Sequence, residues 1–249
     1  MTGKPLAIVL AAGKGTRMKS DLPKVLSEVC GRPLIDFVLD ALDQVGVERT
    51  LVVVGYRADD VRRKLAGRSR LEFVEQTQQL GTGHAVMVCR EAIGNHDGPV
   101  VILAGDSPLT QPVSLRRLLA EFQRGRPAGI LGTLHKENPD GLGRIVRDAA
   151  GNFQAVVEQK DATEEQRRIT EVNMSTYVFD CCELLHALQQ INNRNRQGEY
   201  YVTDCPGVLQ REGKDVRALP VLQPCEALSV NTVDELQVVE ATMRKMGYR

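Results

Sequence analysis

Between residues 10 and 26 the chain reads Leu10-Ala-Ala-Gly-Lys-Gly-Thr-Arg-Met18 and then Leu22-Pro-Lys-Val-Leu26. Small residues at 11 and 12 and glycines at 13 and 15 let backbone N–H groups approach a ligand closely, because few side chains intervene. Lys14, Arg17 and Lys24 add three cations to the same stretch. Backbone donors and clustered cations together suit a phosphate chain, whereas the glycines alone would suit an ordinary turn. Neither a complete G-x-x-x-x-G-K-[ST] loop nor a complete G-x-G-x-x-G is present, so the familiar nucleotide motifs are missing. Further along, Asp106 follows the apolar run Val100–Ala104, where a carboxylate can face a ligand cleft. Mg²⁺ needs only one or two protein oxygens, so this residue is a candidate ligand; the plainer role is a turn-forming Asp before Ser107-Pro108. His84, in Gly81-Thr-Gly-His-Ala85, stands at the start of a helix and reads as a packing or capping residue rather than a catalytic one.

The elements that must hold these residues follow from hydrophobic periodicity. Continuous apolar runs at Leu6–Leu10, Thr50–Val54, residues 71–74 and Val100–Ala104 read as buried strands. Pro33–Val45, Asp59–Leu65, Ala85–Ile93 and Leu115–Phe122 read as helices, the last with Ser114 as N-cap. This β-α-β-α rhythm over about 120 residues implies parallel strands with helices on both faces. In such sheets ligands sit beyond the carboxyl ends of strands, which is where the glycine loop and Asp106 lie. The second half is less regular. Strands are expected at Ala128–Leu134, Arg144–Arg147, Phe153–Glu158 and Val172–Phe179, and helices at Glu183–Ile191 and Thr203–Arg211. Thr232-Val-Asp-Glu235 is a capping box opening a last helix to about Met246. With no Pro-, Gly- or Ser-rich linker, residues 1–249 read as one domain. Its lobes are about 1–120 for nucleotide and about 121–230 for sugar, followed by the helix at 232–247.

Taken together, the blocks resemble the sugar-phosphate nucleotidyltransferases (nucleoside-diphosphate-sugar pyrophosphorylases), and most nearly their N-acetylglucosamine-1-phosphate uridylyltransferase branch. The resemblance runs from the glycine loop through Gln76-Thr-Gln-Gln-Leu-Gly-Thr-Gly-His-Ala85, Gly105-Asp-Ser-Pro-Leu109, Leu142-Gly-Arg-Ile145 and Val157-Glu-Gln-Lys-Asp-Ala162. It continues through Glu171-Val-Asn173, Gly198-Glu-Tyr-Tyr-Val-Thr-Asp204 and Ser229-Val-Asn-Thr232. It implies a three-layer αβα, Rossmann-like, mixed but mostly parallel sheet of the nucleotide-diphospho-sugar transferase type. The implied reaction joins UTP and N-acetylglucosamine 1-phosphate into UDP-N-acetylglucosamine and pyrophosphate. The attacking phosphate oxygen is already anionic near neutral pH, since a second phosphate pKa lies at about 6, so no general base is needed. What the reaction needs is charge compensation for two polyanions and a leaving pyrophosphate. The resemblance assigns that task to Arg17 and Lys24, with Mg²⁺ held by Asp106 and Asn231. It gives the nucleoside to Leu10, Ala11, Ala12, Gly13, Gln76, Gly81 and Thr82, and the sugar to Gly143, Glu158, Asn173, Tyr201 and Thr203.

Departures from the branch pattern lie mainly on the sugar side: Ala104 where an aromatic is usual, Leu142 for Tyr, Met174-Ser175 for Thr-Gly and Ser229 for Gly. Another sugar 1-phosphate, another NTP, or a non-catalytic nucleotide-sugar regulator are the alternatives. Composition removes other classes. The 32 Lys+Arg balance the 32 Asp+Glu, and there are five Phe, five Tyr and no Trp. A nucleic-acid binder usually has a basic excess and stacking aromatics. The neutrality is an average: Lys4, Lys14, Arg17, Lys19 and Lys24 stand against Asp21 alone in residues 1–26. Six cysteines without a C-x-x-C pair suggest buried thiols in a reducing compartment. No apolar run approaches a membrane span and Leu6–Ala12 is at the short limit for a signal peptide, so a cytoplasmic protein is expected. The sequence ends at the helix that precedes the acetyltransferase β-helix of larger family members, and no such domain is expected in it.

Overall fold

The computed structural model of the chain describes residues 3–18 and 20–248, so Lys19 lies outside the described residues. β1 (Leu6–Ala11) shows why its sequence runs apolar without alternation. Leu6 and Ile8 enter one core, and Ala7, Val9 and Ala11 enter another on the opposite face. The short hairpin of β2 (Glu28–Val29) and β3 (Arg32–Pro33) leads into α1 (Leu34–Gln44), whose Leu34, Ile35, Val38, Leu39 and Leu42 are buried at helical spacing. Next come β4 (Arg49–Val54), α2 (Ala58–Leu65), β5 (Leu71–Glu75), α3 (Thr82–Met87), α4 (Arg90–Ile93), β6 (Pro99–Ala104) and α5 (Pro112–Gly125). The second half supplies β7 (Gly129–His135), β8 (Gly143–Arg147), β9 (Phe153–Val157), α6 (Glu164–Arg167), β10 (Glu171–Asp180), α7 (Cys181–Gln190), α8 (Asp204–Arg211), β11 (Val216–Leu219) and α9 (Val233–Lys245).

One nine-stranded sheet takes strands from both halves. Its main path is β11-β7-β10-β6-β1-β4-β5, with β8 pairing β10 and β9 pairing β8. Along that path only β10 runs against the others, so the sheet is mixed and mostly parallel. Two cores, one on each face, give three layers.

Three expectations need correcting. Ser114 is not an N-cap: α5 begins earlier because Pro112 supplies a preset φ at its first turn. Ser114 is instead fully buried and donates to Glu226 Oε2 at 2.5 Å, while Glu226 Oε1 accepts the Gln111 N–H. The single helix expected over Ala85–Ile93 is two, because the Cys89 N–H bonds three residues back to Val86 O and tightens the turn. β9 stops at Val157, leaving Glu158 just past the strand end.

All six cysteines are free, and four of them are buried. Burial pushes the Cys89 thiol up to about 12, which keeps it protonated and unreactive. No helix among the described residues is long and apolar enough to cross a membrane.

Candidate active site

β1 and β6 lie side by side with Leu10 opposite Ala104, and the Gly105 N–H donates to Leu10 O at 2.9 Å. Their carboxyl ends therefore open on the same space, a cavity of about 290 Å³. All seven residues expected around the nucleoside line it (Leu10, Ala11, Ala12, Gly13, Gln76, Gly81 and Thr82), as do Lys24 and Asp106. A side chain at Gly13 would meet no protein atom within 4 Å and would project into the open space of the cavity. Gly15, at φ +67°, is needed for a different reason: a Cβ there would lie 2.6 Å from Lys24 Cβ.

Buried Val25 and Leu26 anchor the short helical turn that carries Lys24. Its ammonium pairs with Asp106 Oδ2 at 2.5 Å and donates to Asn231 Oδ1 at 2.9 Å. Arg17 Nη2 donates to the same Asn231 oxygen at 2.9 Å. Both cations can only donate, so the Asn231 amide must present its oxygen to them. Ser229 Oγ, accepting from Asn231 Nδ2 at 3.1 Å, holds the other end. The backbone there is fixed by the capping box of α9, where Glu235 accepts from the N–H groups of Asn231 and Thr232.

Asp106 and Asn231 thus aim two hard oxygens at one cation position, filled in the structure by the Lys24 ammonium. That donor set fits Mg²⁺, which completes its shell with water and phosphate oxygens. Lys14 is not part of this cluster. Its ammonium lies 5.1 Å from the Tyr56 ring centroid, against the segment where Tyr56 Oη and Arg57 Nη1 donate to Asp21 O.

Gln76 is 3% exposed and its amide is already engaged. Nε2 donates to Gly81 O at 3.0 Å and bonds His84 Nδ1 at 3.1 Å. Gly81 adopts φ +104°, and a Cβ there would stand 2.5 Å from Tyr200 O. This glycine turn is clasped to the segment around Tyr200. Tyr200 N donates to Leu80 O at 2.8 Å, Gly83 N to Tyr200 O at 2.7 Å, and Val202 N to Thr82 Oγ1 at 3.1 Å. The Thr82 hydroxyl accepts this one bond between the two loops and keeps its own proton free to donate toward the cavity that Thr82 lines.

Among the residues expected at the sugar, Gly143 of β8 pairs with Asn173 of β10, and a Cβ on Gly143 would lie 3.5 Å from Glu158 Oε1. Thr203 Oγ1 donates to Glu158 Oε1 at 3.1 Å. Burial drives the Glu158 carboxyl above its ordinary range, with Asp204 and Asp161 pushing the same way against the Thr203 hydrogen bond. Asn173 Nδ2 donates to Tyr177 Oη at 2.7 Å, while its Oδ1 is buried with no partner. A buried orphan acceptor in a polar site is what a ligand hydroxyl or amide satisfies. Gly143, Glu158, Asn173 and Thr203 are thus brought together. Tyr201 turns its hydroxyl to Gln197 and, with Glu158 and Thr203, lines a separate cavity of about 360 Å³. Of the departures, Ala104 and Ser175 line the cavity of about 290 Å³, and Leu142 and Met174 pack against Leu134, Val172, Leu222 and Ala227.

Sequence reasoning missed three residues: Ser229, Tyr177 and His84 as the partners of Asn231, Asn173 and Gln76. Only the short spacings 229/231 and 173/177 offered a signal, and offsets of two and four residues have no meaning until the chain is folded.

Residues 7–196 match the model of the MobA-like NTP transferase domain. The chain is 44% identical over 239 residues to the bifunctional protein GlmU of Streptococcus gordonii, covering 96% of this chain and 52% of that protein. It is 41% identical over 243 residues to the GlmU of Enterococcus faecalis, covering 98% and 52%. The chain thus spans about half the length of the curated relatives it matches. A solved UDP-glucose pyrophosphorylase in complex with UDP-glucose shares the fold at a TM-score of 0.78 and 17% identity, over 98% of this chain and all of that one.

Proposed function

The chain belongs to the MobA-like NTP transferase domain family, and from that premise we propose that it transfers a uridylyl group from UTP to N-acetylglucosamine 1-phosphate. The observation that carries this reading is the convergence of Arg17, Lys24, Asp106 and Asn231 at the mouth of the cavity beside β1 and β6. A site that only bound a nucleotide sugar would have little use for cations placed for a leaving pyrophosphate. The similarity to GlmU proteins and the sugar-side group of Gly143, Glu158, Asn173 and Thr203 support it. In the reaction a phosphate oxygen of the sugar 1-phosphate bonds to the α-phosphorus as the bond to the bridging α–β oxygen breaks, and pyrophosphate leaves with that electron pair.

Arg17 and Lys24 compensate the charge that develops on the phosphates, which is worth most in a site already shaped for it. Asp106 and Asn231 would hold Mg²⁺, which when bound neutralises phosphate oxygens and orients them. Leu10–Gly13 leave room for the nucleotide, with Gln76 at its base. Residues 1–120 act as the nucleotide lobe and 121–230 as the sugar lobe, in a cytoplasmic protein.

The test crosses four nucleoside triphosphates with a panel of sugar 1-phosphates, with and without Mg²⁺, and reads pyrophosphate. Mg²⁺-dependent release with UTP and N-acetylglucosamine 1-phosphate is expected. Tight UDP-sugar binding with no turnover across the panel would sink the catalytic reading. A different preferred sugar is the second reading, favoured by Ala104 and Ser175 in the cavity wall, and the same panel decides it.

A further inference from the structure

The hydrogen-bonded position of His84 has no role in the chemistry above, yet it acts on the side chain closest to reading the base. The Gly81 carbonyl can only accept, so the end of the Gln76 amide facing it at 3.0 Å must be the NH₂. The same NH₂ reaches His84 Nδ1 at 3.1 Å, so Nδ1 must be the acceptor and the ring proton resides on Nε2. Two acceptors therefore grip one end of the amide. Its oxygen receives no hydrogen bond among the described residues and belongs to a side chain lining the nucleotide cavity.

We infer that His84 is a positioning residue for the nucleobase: with Gly81 O it locks the Gln76 amide so that an acceptor, not a donor, faces the base edge. This rests on the reading that the cavity takes a nucleoside triphosphate. Uracil carries N3–H and a C4 carbonyl where cytosine carries a bare N3 and a C4 amine. An amide free to flip suits either edge, and a locked one favours the base whose ring N–H it meets. Uracil is that base.

The backbone supports the lock independently. Gly81 is held at φ +104° against Tyr200 O, and Gly83 N donates to the same oxygen. The backbone that carries the Gly81 carbonyl and leads into His84 is therefore held against the Tyr200 segment.

The experiment measures UTP and CTP by calorimetric binding and by steady-state kinetics for the unmodified protein, His84→Leu and His84→Asn. Leu removes the acceptor, while an Asn Oδ1 replaces Nδ1 at about the same distance from the backbone. His84→Leu is expected to weaken UTP binding three- to tenfold and to narrow the UTP-over-CTP ratio by a similar factor. The loss should fall on the KM for UTP rather than on kcat, with the KM for the sugar phosphate unmoved. His84→Asn should recover most of the ratio. An unchanged ratio in His84→Leu, or a loss of kcat shared by both variants, would overturn the assignment.

A second measurement needs no variant. The imidazole ¹⁵N shifts of His84, one of four histidines, should show the Nε2–H tautomer, and an Nδ1–H tautomer would refute the lock. Unmodified protein that binds UTP over CTP without turning it over would defeat the catalytic proposal and leave this one standing. Protein that binds no nucleoside triphosphate would defeat both.

Discussion

Lys24 bonds two oxygens that the proposed reaction also needs, Asp106 Oδ2 and Asn231 Oδ1. Its charge bridges them in the structure, and on the proposed reading it also serves as a counterion for phosphate. Lys24→Ala and Asp106→Ala are each expected to lower kcat/KM by at least about 100-fold, the scale of losing one aimed charge in a desolvated site. Both variants should still melt cooperatively, since the Lys24 and Asp106 side chains keep 14% and 26% of their surface exposed and neither charge left behind is cut off from water. Full activity of Asp106→Ala would end its assignment as a metal ligand. Tyr177 makes a subtler case, because it is fully buried and its hydroxyl accepts from the amide nitrogen of Asn173. Tyr177→Phe should destabilise by about 1 kcal/mol in a denaturant titration, and raise the KM of the sugar phosphate while leaving that of UTP alone. The cations and Asp106 were readable in the sequence because phosphate chemistry demands charge beside glycines, and charge at a strand end is conspicuous. Tyr177, His84 and Ser229 were not, since a tyrosine in an apolar strand looks like core until its hydroxyl is seen to touch something.

The elements carry their own stability signatures. α5 ends on Arg126 in the left-handed region, at φ 45°, with its N–H bonded to Phe122 O. Glycine takes that conformation without strain, so Arg126→Gly should stabilise by about 0.5–1 kcal/mol, read as a melting-temperature rise of roughly 1–4 °C. α8 starts on Asp204, whose carboxyl burial pushes up to about 6, against about 3.9 for a free Asp. Between about pH 4 and pH 6 the unfolded chain sheds this proton while the folded chain keeps it, so stability falls through that window and stays lower above it. Asp204→Asn removes the loss. Its melting-temperature advantage over the parent should be larger at neutral pH than near pH 4, and an equal advantage at both would exclude this origin. The long elements were legible because β1, β4 and β6 are buried on both faces and α1 shows its stripe. β11 escaped because Val-Arg-Ala-Leu at the sheet edge has only four residues and one charge among them. The start of α5 was misplaced because Pro112 outranks Ser114 as a helix opener, and the Ser is better used by Glu226.

At the scale of the whole molecule, the neutral total hides a division of labour: Arg17 and Lys24 come from one end of the chain, and Asn231, which orients them, from the other. The site is complete only when residues more than two hundred apart in sequence have met, which is why the sequence displays its parts and not its geometry. The loops also meet. Leu80, Thr82 and Gly83, placed on the nucleotide side by the proposed reading, share three hydrogen bonds with Tyr200 and Val202, placed on its sugar side. Anything that orders one loop prepares the other, so on the proposed reading each substrate is an effector of its neighbour. Linkage makes that help reciprocal: the factor by which UTP tightens the sugar phosphate must equal the factor by which the sugar phosphate tightens UTP. Titration of each against the protein saturated with the other, using a non-reacting triphosphate analogue, should give matching factors above one. Thr82→Val, which removes the acceptor for Val202 N, should bring both factors toward one together. On that reading the clasp would make the protein a coincidence detector, gripping its nucleotide loosely while the sugar phosphate is scarce and leaving that triphosphate free for other users.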